Sequence, residues 1–221
     1  MDKQSDQLTL NMIEVFHSVQ GETSLSGYPT TFVRLAACNL RCSWCDTPYS
    51  FGRGESTALE TIIDRVEFFG AKHVCITGGE PLLQSNVHHL MRTLCTMGFV
   101  VSIETGGSLP IEDIDSRVKV ILDIKCPGSK MCEKNRWENL QFLKENDEVK
   151  FVVINEEDYQ WALQVCKEHQ LFNHSSEILF SPVHNVMDAQ LLVRWILRDK
   201  IPVRLNLQIH KFIWTPETIG V

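Results

Sequence analysis

An α/β fold with parallel strands alternating with helices is predicted by three features of the 221-residue sequence. Short apolar, β-branched segments recur along it, most of them separated by amphipathic helical patterns. These strands read as almost continuously apolar, which suits a parallel sheet covered on both faces. Unusual polar residues follow strand after strand, at the carboxyl ends where parallel βα architectures build their sites. A partial or complete (β/α) barrel, or a doubly wound sheet, satisfies all three.

Residues 31–36 (TFVRLA) form the first expected strand. The run from Thr57 to Glu60 reads as a capping box ahead of Ile62, Ile63, Val66 and Phe69, which share one helical face. A strand over 72–76 ends in Thr77-Gly78-Gly79-Glu80-Pro81. A helix over 82–97 follows, with Gly98 as its left-handed cap. Strands over 99–103 and 118–122 are joined by a turn and at most one helical turn. A helix near 136–143 precedes a strand over 149–154. Then come a helix over 156–169, a strand over 178–180, a helix over 186–198 and a last strand over 203–209. No repeat, linker or low-complexity tract divides the chain, so residues 1–221 read as a single domain.

Composition narrows the function. Lys and Arg total 21 against 28 Asp and Glu, a net charge of −7, which leaves no surplus of cations for a nucleic-acid backbone. Hydrophobic residues at 43% and charged residues at 22% describe a chain that buries a core. The longest apolar runs, such as 151–154, fall far short of the roughly 20 residues a membrane span needs. The polar N-terminus lacks the apolar stretch of a secretory signal. A soluble, cytoplasmic protein with no nucleic-acid or membrane partner is expected.

Eight cysteines are many for a reducing compartment, and they are unevenly placed. Cys38, Cys42 and Cys45 form a C-x3-C-x2-C run, whereas Cys75, Cys95, Cys126, Cys132 and Cys166 are scattered. Clustered thiols in such a compartment read as metal ligands. Structural zinc takes four protein ligands. A [4Fe–4S] cube on three thiolates keeps one iron open for a substrate or cofactor. The scattered Cys75, Cys95 and Cys166 read as buried apolar thiols, and Cys126 and Cys132 share one loop.

The C-x3-C-x2-C run after the first strand, followed by Thr77-Gly-Gly-Glu-Pro81 after the second, resembles the radical S-adenosylmethionine (SAM) superfamily. The resemblance narrows with other segments. His17-Ser-Val-Gln-Gly-Glu22, Phe32-Val-Arg34 and Cys45-Asp-Thr47 are similar to the 7-carboxy-7-deazaguanine synthase family, as are Glu104-Thr-Gly, the loop from Lys125 to Met131 and the run from Gln208 to Trp214. Nearly the whole chain is covered. This resemblance implies a partial (β/α) barrel of the radical SAM type. It also implies a lyase that contracts the ring of 6-carboxy-5,6,7,8-tetrahydropterin with loss of ammonia, in queuosine and 7-deazapurine biosynthesis.

The resemblance further implies a site. Cys38, Cys42 and Cys45 would hold the [4Fe–4S] cluster, and Thr47 a Mg²⁺ ion, unless its hydroxyl only caps a turn. Val19, Gln20, Gly21, Arg34, Thr77, His210 and the C-terminal Val221 would contact substrate. A guanidinium suits a pterin carboxylate, and Gln20 offers a donor and an acceptor to an amide edge; the plain alternative for Arg34 is a salt bridge. Gly78, Gly79, Glu80, Glu104, Asp123, Ile124, Lys125, Ser181, Pro182, Val183 and His184 would form the SAM wall. Asp123 and Ile124 depart there from the family's common Ser-Pro. Glu104 would face SAM or substrate, or pair with a lysine. No catalytic residue is implied beyond the cluster and the SAM-derived radical. A flavodoxin or ferredoxin reductant and a homodimer complete the expectation. Two rivals are a glycyl-radical activating enzyme, which shares the cysteine spacing, and a non-catalytic iron–sulfur electron-transfer or sensing protein.

Overall fold

The computed structural model describes residues 8–173, 177–215 and 218–220. A single nine-stranded sheet organises them. Strand β1 (Thr9–Val19) lies antiparallel between β2 (Pro29–Leu35) and the short edge strand β3 (Glu55–Ala58). From β2 the sheet runs parallel through β4 (His73–Gly78), β5 (Val100–Thr105), β6 (Lys119–Ile124), β7 (Glu148–Val153), β8 (Glu177–Pro182) and β9 (Arg204–Leu205). The full order is β3-β1-β2-β4-β5-β6-β7-β8-β9, so the expected parallel core is present with an antiparallel flap added at one edge.

Helices α1 (Leu59–Phe69), α2 (Val87–Thr96), α3 (Glu156–Glu168) and α4 (Ala189–Asp199) contribute residues to one large apolar core. Val33, Ile76, Ile103, Leu122, Phe151 and Phe180 join Ile62, Leu90, Ala162 and Leu192 in it. A short α5 (His210–Ile213) ends the ordered run. Among the described residues, no helix is long and apolar enough to cross a membrane.

Several expected elements change form. The strands are not apolar on both faces, because their other face lines a cavity; Ser102, Lys119, Glu148 and Lys150 alternate with the core residues. No capping box forms. Thr57 is drawn into β3 opposite Leu10, its hydroxyl donates to the Glu55 carbonyl, and Ala58 precedes α1 without a side-chain cap. The helix expected from residue 82 begins only at Val87. Ahead of it Pro81–Leu83 makes a 3-10 turn, and Gln84 spends its amide on backbone groups of Asn11 and Ala36. The helix expected near 136–143 is a 3-10 run, Trp137–Phe142. Helix α4 starts at Ala189, where Asp188 caps the Gln190 N–H. The last strand stops at Leu205; the Asn206 N–H still donates to the Phe180 carbonyl, and its side chain binds Thr23 N–H and the Ser181 hydroxyl.

Candidate active site

A cavity of about 630 Å³ opens at the carboxyl ends of the parallel strands. Every site residue expected from the sequence lines it except two. Ile124 packs instead into the apolar core, because its neighbour Asp123 takes the inward position. Val221 lies outside the described residues.

The cysteine loop hangs from β2. Ala37 turns the chain with φ 70°, and its N–H donates to the Ser50 carbonyl. Arg41 donates to the Cys38 and Leu40 carbonyls at 2.7 Å each and stacks over Phe51 at 4.3 Å. Ser43 donates from its N–H to Ser129 and from its hydroxyl to the Gly128 carbonyl, fastening the loop to residues 126–131. A Cβ on Gly128 would meet Trp44 at 3.0 Å, so the indole lies flush on that loop. Cys38, Cys42 and Cys45 are free and half-buried in the cavity wall. Burial pushes the Cys38 and Cys42 thiols up, and the nearby Lys125 ammonium opposes this. Among the described residues, no three His, Cys, Asp or Glu side chains gather as for a single metal ion. A four-iron cube makes no such demand, since each thiolate takes a different corner. The donor set fits a cluster better than a lone ion.

The glycine pair explains how β4 reaches this loop. Gly78 has φ +134°, and a Cβ there would fall 2.2 Å from the Leu35 carbonyl oxygen; at Gly79 it would fall 1.9 Å from that of Ala37. The N–H groups of Gly79 and Glu80 donate to those same carbonyls. Glu80 is fully buried and accepts from Leu82 N–H, the Thr105 hydroxyl and Gly106 N–H. It therefore clamps the loops after β4 and β5 together. Burial holds its carboxyl above the usual range despite those donors.

Across the cavity, Arg34 donates from Nε to Glu14 at 2.8 Å, so the salt bridge weighed as the alternative to a substrate contact is present. Among the described residues its terminal nitrogens have no hydrogen-bond partner, and they stay available to the cavity. Gln20 reaches Glu104 at 3.5 Å. Gly21 is pressed against His210, where a Cβ would lie 1.9 Å from Nδ1. Burial pushes the His210 pKa down, which favours the neutral ring. Thr47 precedes a 3-10 turn (Pro48–Phe51), yet its hydroxyl makes no cap; it lies 3.9 Å from Cys45 Sγ. Asp123 pairs through Oδ2 with Lys125 at 3.0 Å, while its buried Oδ1 has no partner. An acceptor left open in a cavity wall suits a ligand hydroxyl or N–H.

Comparison with known proteins decides the family. Residues 33–125 match the model of the radical SAM superfamily. The 7-carboxy-7-deazaguanine synthase of Chlorobaculum tepidum is 44% identical over 98% of this chain and 100% of its own length. That of Koribacter versatilis is 42% identical over 96% and 100%. The chain belongs to the 7-carboxy-7-deazaguanine synthase family. The crystal structure of QueE from Escherichia coli has the same fold, a partial barrel, with a TM-score of 0.75 and 23% identity over 90% of this chain and 94% of that one.

As a radical SAM enzyme of this synthase family, the chain brings further residues into its cavity that were not expected there. Glu22, Asp46, Lys150 and Lys211 line it, beside Gln208, which the sequence already placed with His210 on the rim. Gln208 donates to Glu22 at 2.8 Å and to Asp46 at 3.1 Å, and Lys211 pairs with Asp46 at 2.9 Å. Burial alone would raise Glu22, but Lys150 and the Gln208 amide outweigh it and hold the carboxyl below its usual value. Glu104 lacks so close a cation and is raised by burial. The signal for Lys150 was the two-residue alternation of Glu148 and Lys150 with Val149, Phe151 and Val153.

Proposed function

We propose that this chain converts 6-carboxy-5,6,7,8-tetrahydropterin to 7-carboxy-7-deazaguanine within the cavity just described, as a radical SAM carbon–nitrogen lyase of queuosine and 7-deazapurine biosynthesis. The observation that carries the reading is the meeting of the three clustered thiols with Val19, Gln20, Gly21 and Arg34 in a single cavity. When bound and reduced by an external donor, a [4Fe–4S] cluster held by Cys38, Cys42 and Cys45 would supply one-electron chemistry for reductive cleavage of SAM beside the pterin.

The side chains bind and orient. Cys38, Cys42 and Cys45 would anchor three irons and leave the fourth to SAM. Gly78, Gly79 and Glu80 shape the adjoining wall, with Glu104, Asp123, Lys125 and the turn of Ser181, Pro182, Val183 and His184 completing it. The terminal nitrogens of Arg34 suit the pterin carboxylate. Gln20, Thr77 and a neutral His210 suit its amide edge. The uncapped hydroxyl of Thr47 supports a Mg²⁺ ligand role, with waters and substrate filling the remaining positions. The eight thiols, all free, suit a reducing cytoplasm. A single domain, a homodimer and a flavodoxin or ferredoxin donor complete the proposal.

The test is anaerobic turnover of the reconstituted chain with carboxytetrahydropterin, SAM and reductant, read by mass spectrometry. Formation of 7-carboxy-7-deazaguanine with 5′-deoxyadenosine supports it. SAM cleavage without that product in the presence of the pterin overturns it.

A further inference from the structure

The most heavily charged point of the cavity is a residue that no part of the proposed binding scheme uses. Lys150 sits at the centre of β7, and its side chain is 8% exposed. Its Nζ lies 3.2 Å from Glu22, 3.7 Å from Asp123 and 3.8 Å from Glu104. Those carboxylates come from three separate segments: the loop after β1, the end of β6 and the end of β5. A lysine buried in a strand is costly for folding unless its charge is answered, and the flanking Val149 and Phe151 show what the outward positions of this strand prefer.

We propose that Lys150 is a positioning residue of the active site, its ammonium group holding the Glu22, Asp123 and Glu104 carboxylates in the arrangement that receives the pterin. This inference rests on the function proposed above. Lys150 joins two groups of contacts. Through Glu22 it reaches Gln208, which bridges to Asp46 and Lys211 at the tail side of the cavity. Through Asp123 it reaches Lys125, whose charge acts on Cys42 at the cysteine side. The three carboxylates are not served equally. Glu22 receives a hydrogen bond, whereas Glu104 is left with a longer contact and with Gln20 and Cys75 as weak donors. Glu22, Asp123 and Arg34 also act on Glu104, and the first two repel it. Without Lys150 the three acids would face one another, with Lys125 beside Asp123, Arg34 near Glu104, and Asp46, His210 and the Gln208 amide beside Glu22. At least one would take up a proton or swing away, and the cavity wall would lose its shape.

The experiment uses Lys150→Met and Lys150→Arg in the reconstituted full chain. Binding of carboxytetrahydropterin is measured at equilibrium without reductant, across pH, beside iron content and melting temperature. For Lys150→Met the expected result is unchanged iron per chain and pterin binding weakened about tenfold or more near neutral pH, the scale of a lost charged partner. The pH at which binding is lost on acidification should rise by about one unit, because the carboxylates lose their cation. Lys150→Arg keeps the charge and should restore most of the binding. A general loss of structure would lower iron and melting temperature without moving the acid limb. Should Lys150→Met not fold, Lys150→Gln carries the same expectation with a smaller loss of affinity. A neutral variant that folds and binds the pterin with the affinity and acid limb of the parent overturns the proposal. Absence of turnover in the parent chain would instead overturn the function it rests on.

Discussion

On its outer face the sheet presents Val33, Ile76, Ile103, Leu122, Phe151 and Phe180 to the helices. One residue away, the same strands present Arg34, Thr77, Glu104, Asp123, Lys150 and Ser181 to the cavity. The pleat alone separates the two sets, since successive side chains leave a strand on opposite sides. The outer set excludes water and supplies hydrophobic stabilisation. The inner set keeps charges at part-buried positions, where each depends on a partner from another strand. Stability and chemistry are therefore written on alternate residues, and substitutions one position apart should fail in different ways.

The largest contrast concerns iron. Cys42→Ala should abolish the cluster, whereas Cys166→Ala, in the outer core, should keep it and lose only packing; iron and sulfide analysis after anaerobic reconstitution reads both. Equal iron loss in the two variants would sink the ligand assignment. Gly79→Ala drives a methyl group into the Ala37 carbonyl, so β4 must withdraw from the cysteine loop. SAM binding, followed by the cluster spectrum, should weaken by at least about an order of magnitude, the result of displacing one wall of the site.

On the outer face, Phe151→Ala should cost about 3–5 kcal/mol of stability in denaturant titrations while leaving iron per folded chain unchanged. A smaller effect belongs to Thr47. Because its hydroxyl caps nothing, Thr47→Ala should leave the melting temperature near that of the parent but blunt the response of turnover to Mg²⁺, and Thr47→Ser should keep that response. Loss of stability by roughly 1 kcal/mol with an intact Mg²⁺ response would return Thr47 to the role of a cap. The least effect is expected for the pair of Asp46, whose side chain is half-exposed, and Lys211, which is mostly buried. Burial would raise Asp46, but Lys211 and Gln208 bring its pKa from 3.8 down to about 2. A lowered carboxyl stabilises the fold above its unfolded value and ceases to do so as pH falls through the folded one. The small melting-temperature gap between parent and Lys211→Met should thus be present at pH 5 and close toward pH 2.

The parallel core was legible because each of its strands carries a run of β-branched or apolar residues between turn signals. Strand β1 was not. Leu10 and Met12 alternate with Thr9 and Asn11 as a strand should, but the register shifts between Met12 and Glu14, and the shift breaks the period beyond it. Strand β3 was hidden in a segment that also spells a helix cap, and pairing with β1 decided the competition. At the site, motifs contiguous in sequence were found, while Lys150 was passed over. A lysine inside an apolar run reads as a solvated edge until the cavity behind the strand is known.

The wall of the cavity is stitched from segments more than 160 residues apart. Thr23 N–H donates to Asn206 Oδ1, Ile209 N–H to the Gly21 carbonyl, and Gln208 and Lys211 reach Glu22 and Asp46. During synthesis the cysteine loop leaves the ribosome long before residues 206–211 exist, so that side of the cavity cannot close until they emerge. Domains generally fold as units, from the N-terminus onward as they are made, and here the seam that closes the cavity is delivered after every strand of the parallel core.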